Sequence, residues 1–174
     1  MIIIGEKLNS SISSVYEAIE KKDSRFVSDM AVKQEEAGAH FLDINAGMFV
    51  DTEEENLRWL MNTVQAVSKL PLVIDTPDPK VALALAKEYQ GEKPIINSVT
   101  LEENRFAPMV EAAKTCGAGM VALCMDDSGV PDGVERRIEL ANVLADKLLK
   151  EGFQMEDIYL DPMVRPVGSG EGYG

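Results

Sequence analysis

Residues 40–45 read HFLDIN, an apolar run that carries an aspartate near its end and stops on asparagine. The same design recurs as LVIDT at 72–76, PIINS at 94–98 and IYLDPM at 158–163. In a parallel α/β protein the carboxyl ends of all strands lie on one face of the molecule. We therefore expect one pocket surrounded by the polar residues of these runs, which are Asp43, Asn45, Asp75, Asn97 and Asp161.

Six strand-like runs alternate with helical stretches, the pattern that predicts an α/β protein with a parallel sheet. The runs lie at 1–4, 40–45, 72–75, 94–99, 120–125 and 158–161. Their spacing is close to that of a βαβ unit, about 30 residues, and favours a TIM barrel of the (β/α)8 type. A complete barrel takes about 250 residues, so we expect residues 1–174 to form one incomplete barrel domain, truncated after about six βα units. The glycine-rich stretch at 167–174 predicts a flexible tail.

The composition argues against several classes of protein. With 45% hydrophobic and 27% charged residues the chain is ordinary for a globular protein, and it has no apolar run long enough to span a bilayer. The opening MIIIGEK lacks the basic region and cleavage site of a signal peptide. A net charge of −13 argues against a general nucleic-acid surface. We therefore predict a cytoplasmic protein that binds neither nucleic acid nor membrane.

The strand-end residues suit a flat heterocyclic ligand. A carboxylate can accept two parallel hydrogen bonds from a ring N–H and a neighbouring amine, whereas an asparagine can donate and accept at once. Together, Asp75, Asn97 and Asp161 offer what the edge of a pterin or a guanine-like ring requires.

Other interpretations of these residues remain open. At any single position an Asp or Asn after a strand is also typical of a helix N-cap or a local turn. Three of the aspartates, Asp43, Asp75 and Asp161, could instead hold Mg²⁺ through oxygen ligands, although we predict no metal site. One histidine is too little for a Ser-His-Asp triad or a multi-histidine zinc site. A nucleotide-binding Rossmann domain is disfavoured because GxGxxG is missing.

Several longer motifs occur in a characteristic order along the whole chain. They are IIIGEKLNSS at 2–11, QEEAGAHFLDINAG at 34–47, LVIDTPDPK at 72–80, PIINSVTLE at 94–102, LCMDDSGVP at 123–131 and MEDIYLDPMV at 155–164. With these motifs the chain resembles the methyltetrahydrofolate–corrinoid protein methyltransferases, a family of pterin-binding barrel enzymes.

The resemblance assigns roles to individual residues. It implies that Asp75, Asn97 and Asp161 hydrogen-bond the pterin ring. It also implies that four further residues line the same mouth: Asp43 and Asn45 from the second strand, and Glu6 and Asn9 from the first loop. In the family an asparagine on strand seven contacts N5, and we expect its counterpart to lie beyond Gly174, so no catalytic residue is assigned within the chain.

The resemblance also implies an activity. The expected reaction moves a methyl group between N5 of tetrahydrofolate and the cobalt of a corrinoid. The folate is then a substrate, the cobalamin is carried by a partner protein, and the enzyme is a homodimer. Two alternatives are a dihydropteroate synthase-like pterin enzyme and a noncatalytic folate-binding fragment.

Overall fold

The computed structural model describes residues 1–164 of the chain. The tail predicted at 167–174 lies outside the described residues. The strands are β1 (Ile4–Asn9), β2 (Phe41–Asn45), β3 (Leu72–Asp75), β4 (Ile95–Val99), β5 (Gly119–Leu123) and β6 (Ile158–Asp161). The helices are α1 (Ser13–Glu20), α2 (Ser24–Glu36), α3 (Glu53–Gln65), α4 (Pro79–Glu88), α5 (Phe106–Cys116) and α6 (Val134–Lys150), with short 3-10 helices at Val50–Thr52 and Met155–Asp157.

The six strands form one parallel sheet whose spatial order follows the chain, β1-β2-β3-β4-β5-β6. At least one α-helix lies between each pair of consecutive strands. A doubly wound fold would reverse its strand order partway through the sheet, whereas a TIM barrel adds each new strand beside the last one. The observed order therefore confirms the prediction of a barrel-type α/β fold, with six strands among the described residues.

The sheet buries an apolar face under the helices. On β2, Leu42 and Ile44 are fully buried and belong to one hydrophobic cluster with Leu57 and Leu60 of α3. Because side chains alternate along a strand, Asp43 and the neighbouring strand-end residues lie on the opposite face. The alternation that builds the core thus also gathers the polar residues on one side of the sheet.

The first strand is the one whose position the sequence predicted wrongly. It begins at Ile4 rather than ending there, because Ile4 pairs with Phe41 and Asn9 pairs with Asn45, with a shift in register between Gly5 and Leu8. Leu8 is fully buried, whereas Met1 is exposed. Glu6 and Asn9, which we expected in a loop, therefore lie within β1.

No described helix combines the length and the apolar composition that crossing a bilayer requires.

Candidate functional site

A row of polar residues crosses the carboxyl ends of four neighbouring strands. Asn9 of β1 is in register with Asn45 of β2, Asn45 with Asp75 of β3, and Asp75 with Asn97 of β4. Paired residues of parallel strands lie side by side at the same level of the sheet. The structure thus brings four of the predicted site residues into one line.

Asn45 connects three chain segments at the centre of this row. Its Nδ2 donates to Oδ2 of Asp75 at 2.9 Å, and its Oδ1 accepts from the Ser10 hydroxyl at 2.9 Å and from the backbone N–H of Gly47 at 3.0 Å. The Ser10 hydroxyl oxygen accepts in turn from the backbone N–H of Met48 at 3.1 Å. Asn45 therefore orients the Asp75 carboxylate and ties the loops after β1 and β2 together.

Asp75 is a partly buried carboxylate with a raised pKa. Burial is the main cause of the rise, and the negative charges of Glu53 and Glu6 add to it, while the hydrogen bond from Asn45 acts in the opposite direction. Since its Oδ2 is fixed by Asn45, Asp75 presents its carboxylate in a defined orientation. Such a group can accept hydrogen bonds from a ligand that carries N–H donors.

Asp43 lies two residues earlier on β2, on the same face as Asn45, and is 3% exposed. Among the described residues its Oδ1 has no hydrogen-bond partner. Burial, followed by the charges of Asp75 and Glu6, raises the pKa of Asp43 to about 8, and the Asn97 side chain opposes this rise. At neutral pH the Asp43 carboxyl is therefore mostly protonated, and it can donate a hydrogen bond or a proton.

Two predicted site residues use one oxygen each in a local turn. Asn9 Oδ1 accepts from the backbone N–H of Ser11 at 2.9 Å, and Asp161 Oδ1 accepts from that of Met163 at 2.8 Å. Asp161 is exposed at the end of β6, in register with Leu123 of β5 and two strands away from β4. The described contacts thus bring Glu6, Asp43, Asn45, Asp75 and Asn97 together, and they place Asp161 farther along the same end of the sheet.

Sequence reasoning missed Glu53 and Ser10. Glu53 is the first residue of α3, is 9% exposed, and its charge acts on Asp75. It stands in the run Glu53-Glu54-Glu55, which is also what the positive end of a helix attracts, so the sequence does not single out the inward-facing member. Ser10 is 2% exposed, and its position in LNSS carries no signal of a hydrogen bond to Asn45.

The arrangement is rich in hydrogen-bond acceptors and holds one carboxyl that is protonated at neutral pH. Across residues 1–164, no three or more His, Cys, Asp or Glu side chains are grouped so that they could hold a metal ion. Carboxylates and an amide on one sheet edge can form hydrogen bonds with a planar ring that has several N–H donors and a few acceptors.

Comparison with known proteins finds a family model and related proteins that match most of this chain. A family model described as pterin binding enzyme matches residues 5–171. A methylcorrinoid:tetrahydrofolate methyltransferase from Eubacterium limosum is 39% identical, over 94% of this chain and 61% of that protein. A methionine synthase from Mycobacterium leprae (strain TN) is 29% identical, over 98% of this chain and 15% of that protein. The chain therefore spans less than two thirds of the length of either relative.

A solved structure confirms the fold independently. A dihydropteroate synthase from Xanthomonas albilineans, in complex with indole-2-carboxylic acid and 6-chloroguanine, superposes with a TM-score of 0.67. The match covers 93% of this chain and 59% of that one, at 20% sequence identity. At that identity the likeness is evidence of a shared barrel architecture and not of a shared reaction.

Proposed function

The chain belongs to the family of pterin binding enzymes, and from that membership we propose that its strand-end pocket binds the pterin ring of a tetrahydrofolate. We propose further that the protein moves a methyl group between N5 of this ring and the cobalt of a corrinoid. The observation that carries the proposal is the cluster of Asp43, Asp75 and Asn97, set beside the 39% identity to a methylcorrinoid:tetrahydrofolate methyltransferase.

The ring is recognised, in this proposal, by groups that complement its edge. Asp75 accepts from adjacent ring and amino N–H groups, Asn97 donates and accepts, and Asp161 adds an acceptor from β6. Asn45 holds Asp75 in place through its 2.9 Å hydrogen bond, and Glu6 and Asn9 border the mouth from β1. A polar edge that finds a partner for each of its groups is strongly preferred over one that does not.

The chemistry at N5 requires a proton. When the methyl group leaves N5 for the reduced cobalt of the corrinoid, the electron pair of the broken N–C bond stays on nitrogen. Protonation of N5 keeps negative charge from building there. Asp43 is buried in the pocket and protonated at neutral pH because its pKa is about 8, so we assign it as the proton reservoir of the site.

The corrinoid is the second substrate, and we propose that a separate protein carries it. A corrinoid substrate is supported by the likeness to the methylcorrinoid:tetrahydrofolate methyltransferase of Eubacterium limosum, and the separate carrier is what the family resemblance implies. The family resemblance further leads us to propose a homodimer, and the composition leads us to propose a cytoplasmic location.

Titration with 5-methyltetrahydrofolate, followed by a single-turnover reaction with cob(I)alamin, tests both halves of the proposal. We expect saturable binding by calorimetry and the appearance of methylcobalamin in the absorption spectrum. Unmethylated tetrahydrofolate is the matched control, since it should bind without methylating cobalt. If no reduced folate binds, the ligand assignment is wrong, whereas binding without transfer contradicts methyl transfer by this chain and leaves the pterin site standing.

A further inference from the structure

Glu53 has a buried carboxylate, and one of its oxygens lacks a hydrogen-bond partner among the described residues. It begins α3 and is 9% exposed, and its Oε1 has no hydrogen-bond partner among residues 1–164. The two glutamates that follow it behave as surface residues. Glu54 pairs with Arg58 at 2.7 Å, and the Glu55 side chain is 73% exposed. Of the three, only Glu53 points inward.

The surroundings of Glu53 make its burial unfavourable unless a donor is supplied. Desolvating a carboxylate without a partner destabilises the folded state. The charge of Glu53 raises the pKa of Asp75, so the two carboxylates repel each other. The amino end of α3 attracts negative charge, but it leaves Oε1 without a hydrogen bond. A ligand N–H placed between Glu53 and Asp75 would relieve both the desolvation and the repulsion.

We propose that Glu53 is a specificity residue that accepts a hydrogen bond from the ligand and thereby selects reduced pterins over fully oxidised ones. This inference rests on the proposed function. A tetrahydropterin carries a hydrogen on N8 in addition to the N–H donors of its pyrimidine ring, whereas a fully oxidised pterin has a lone pair at N8. A carboxylate only accepts, so it binds the first and repels the second. Glu53 therefore favours binding of the reduced ring over the fully oxidised ring.

The test compares the affinities for 5-methyltetrahydrofolate and for folic acid in three proteins: the parent, Glu53→Gln and Glu55→Gln. We expect the parent to prefer the reduced ligand. In Glu53→Gln this preference should shrink about tenfold, because the amide can donate to the N8 lone pair and loses the charge-assisted bond to N8–H. Differences between the two ligands that do not involve residue 53 affect the ratio equally in the parent and in the variant. The change in the ratio therefore reports on Glu53 alone. Glu55→Gln removes the same charge from the same helical turn and should leave the ratio unchanged.

Each outcome separates this inference from the proposed function. If folded Glu53→Gln keeps the parent's ratio, the role of Glu53 is overturned, while the pterin site stands. If the parent binds neither ligand, the proposed function itself is wrong. Should Glu53→Gln not fold, Glu53→Asp keeps the charge and withdraws the carboxylate by one methylene. It should bind 5-methyltetrahydrofolate several times more weakly, and an unchanged affinity in Glu53→Asp would also overturn the assignment.

Discussion

Asp43→Asn is expected to gain stability over the parent protein as the pH rises from 4 to 8. In the unfolded chain Asp43 loses its proton near its ordinary pKa of 3.8, whereas in the folded protein it keeps the proton up to about 8. Between these values unfolding releases a proton, so the folded state of the parent loses stability with rising pH. Asparagine has a similar shape and cannot ionise, so this pH dependence disappears from the variant.

The size of the effect follows from the width of the window. Each pH unit between the two pKa values lowers the stability of the parent by about 1.4 kcal/mol. Over the whole window the difference between variant and parent should change by on the order of 5 kcal/mol. Below pH 4 both states of the parent hold the proton, so the stability difference no longer changes with pH.

Urea unfolding of both proteins at several pH values measures this difference. Asp146→Asn is the control, since Asp146 is exposed on α6 and its substitution removes the same charge from the surface. If the parent and Asp43→Asn follow parallel curves between pH 4 and 8, the folded pKa of Asp43 is ordinary. Asp43 would then not be the proton reservoir of the site.

Asp75→Ala is expected to weaken the binding of 5-methyltetrahydrofolate by about 1–3 kcal/mol, roughly 5- to 150-fold. The substitution removes the acceptor for the ligand's N–H groups, which then remain buried without a partner. It also leaves Asn45 Nδ2 without the carboxylate that it contacts at 2.9 Å. Asp75→Asn keeps the shape but adds a donor, and it should weaken binding as well.

Calorimetric titration of the folded variants measures these losses. Asp78→Ala is the control, because Asp78 lies three residues farther along and is exposed, and its carboxylate accepts from the backbone N–H of Lys80 at the start of α4. That change should alter stability and leave affinity unchanged. A folded Asp75→Ala variant that binds as tightly as the parent would refute the assigned role of Asp75.

The sequence predicted β2, β3 and β6 well because each is a short apolar run that ends on a polar residue. β3 and β6 have the predicted bounds, and β2 differs by one residue. β1 was misplaced because its centre reads Gly-Glu-Lys, whose charged residues are exposed at the edge of the described sheet. The first three residues, Met1, Ile2 and Ile3, have the apolar composition of a buried strand, but they are exposed.

The row of polar residues at the strand ends was also predictable. These residues lie at the carboxyl ends of their runs, and the carboxyl ends of parallel strands lie on one face of the molecule. The electrostatics of the pocket were not predictable. The pKa of Asp43 depends on burial and on charges from β1 and β3. These groups come together only in the folded protein, so the sequence does not reveal their effect. Glu53 at the start of α3 is buried, and a run of three consecutive glutamates does not show which member is buried.

The network around Asn45 has a consequence for how the loops move. The backbone N–H groups of Ser10, Gly47 and Met48 lie outside the strands, yet they donate to Asn45 O, Asn45 Oδ1 and the Ser10 hydroxyl. These amides should therefore exchange with deuterium slowly even without ligand, and Asn45→Ala should speed up exchange at Gly47 most directly. Equal exchange in both proteins would contradict a tie through the side chain. Held in this way, the rim beside Asp75 is already ordered before a ligand arrives, so binding need not spend entropy on fixing it.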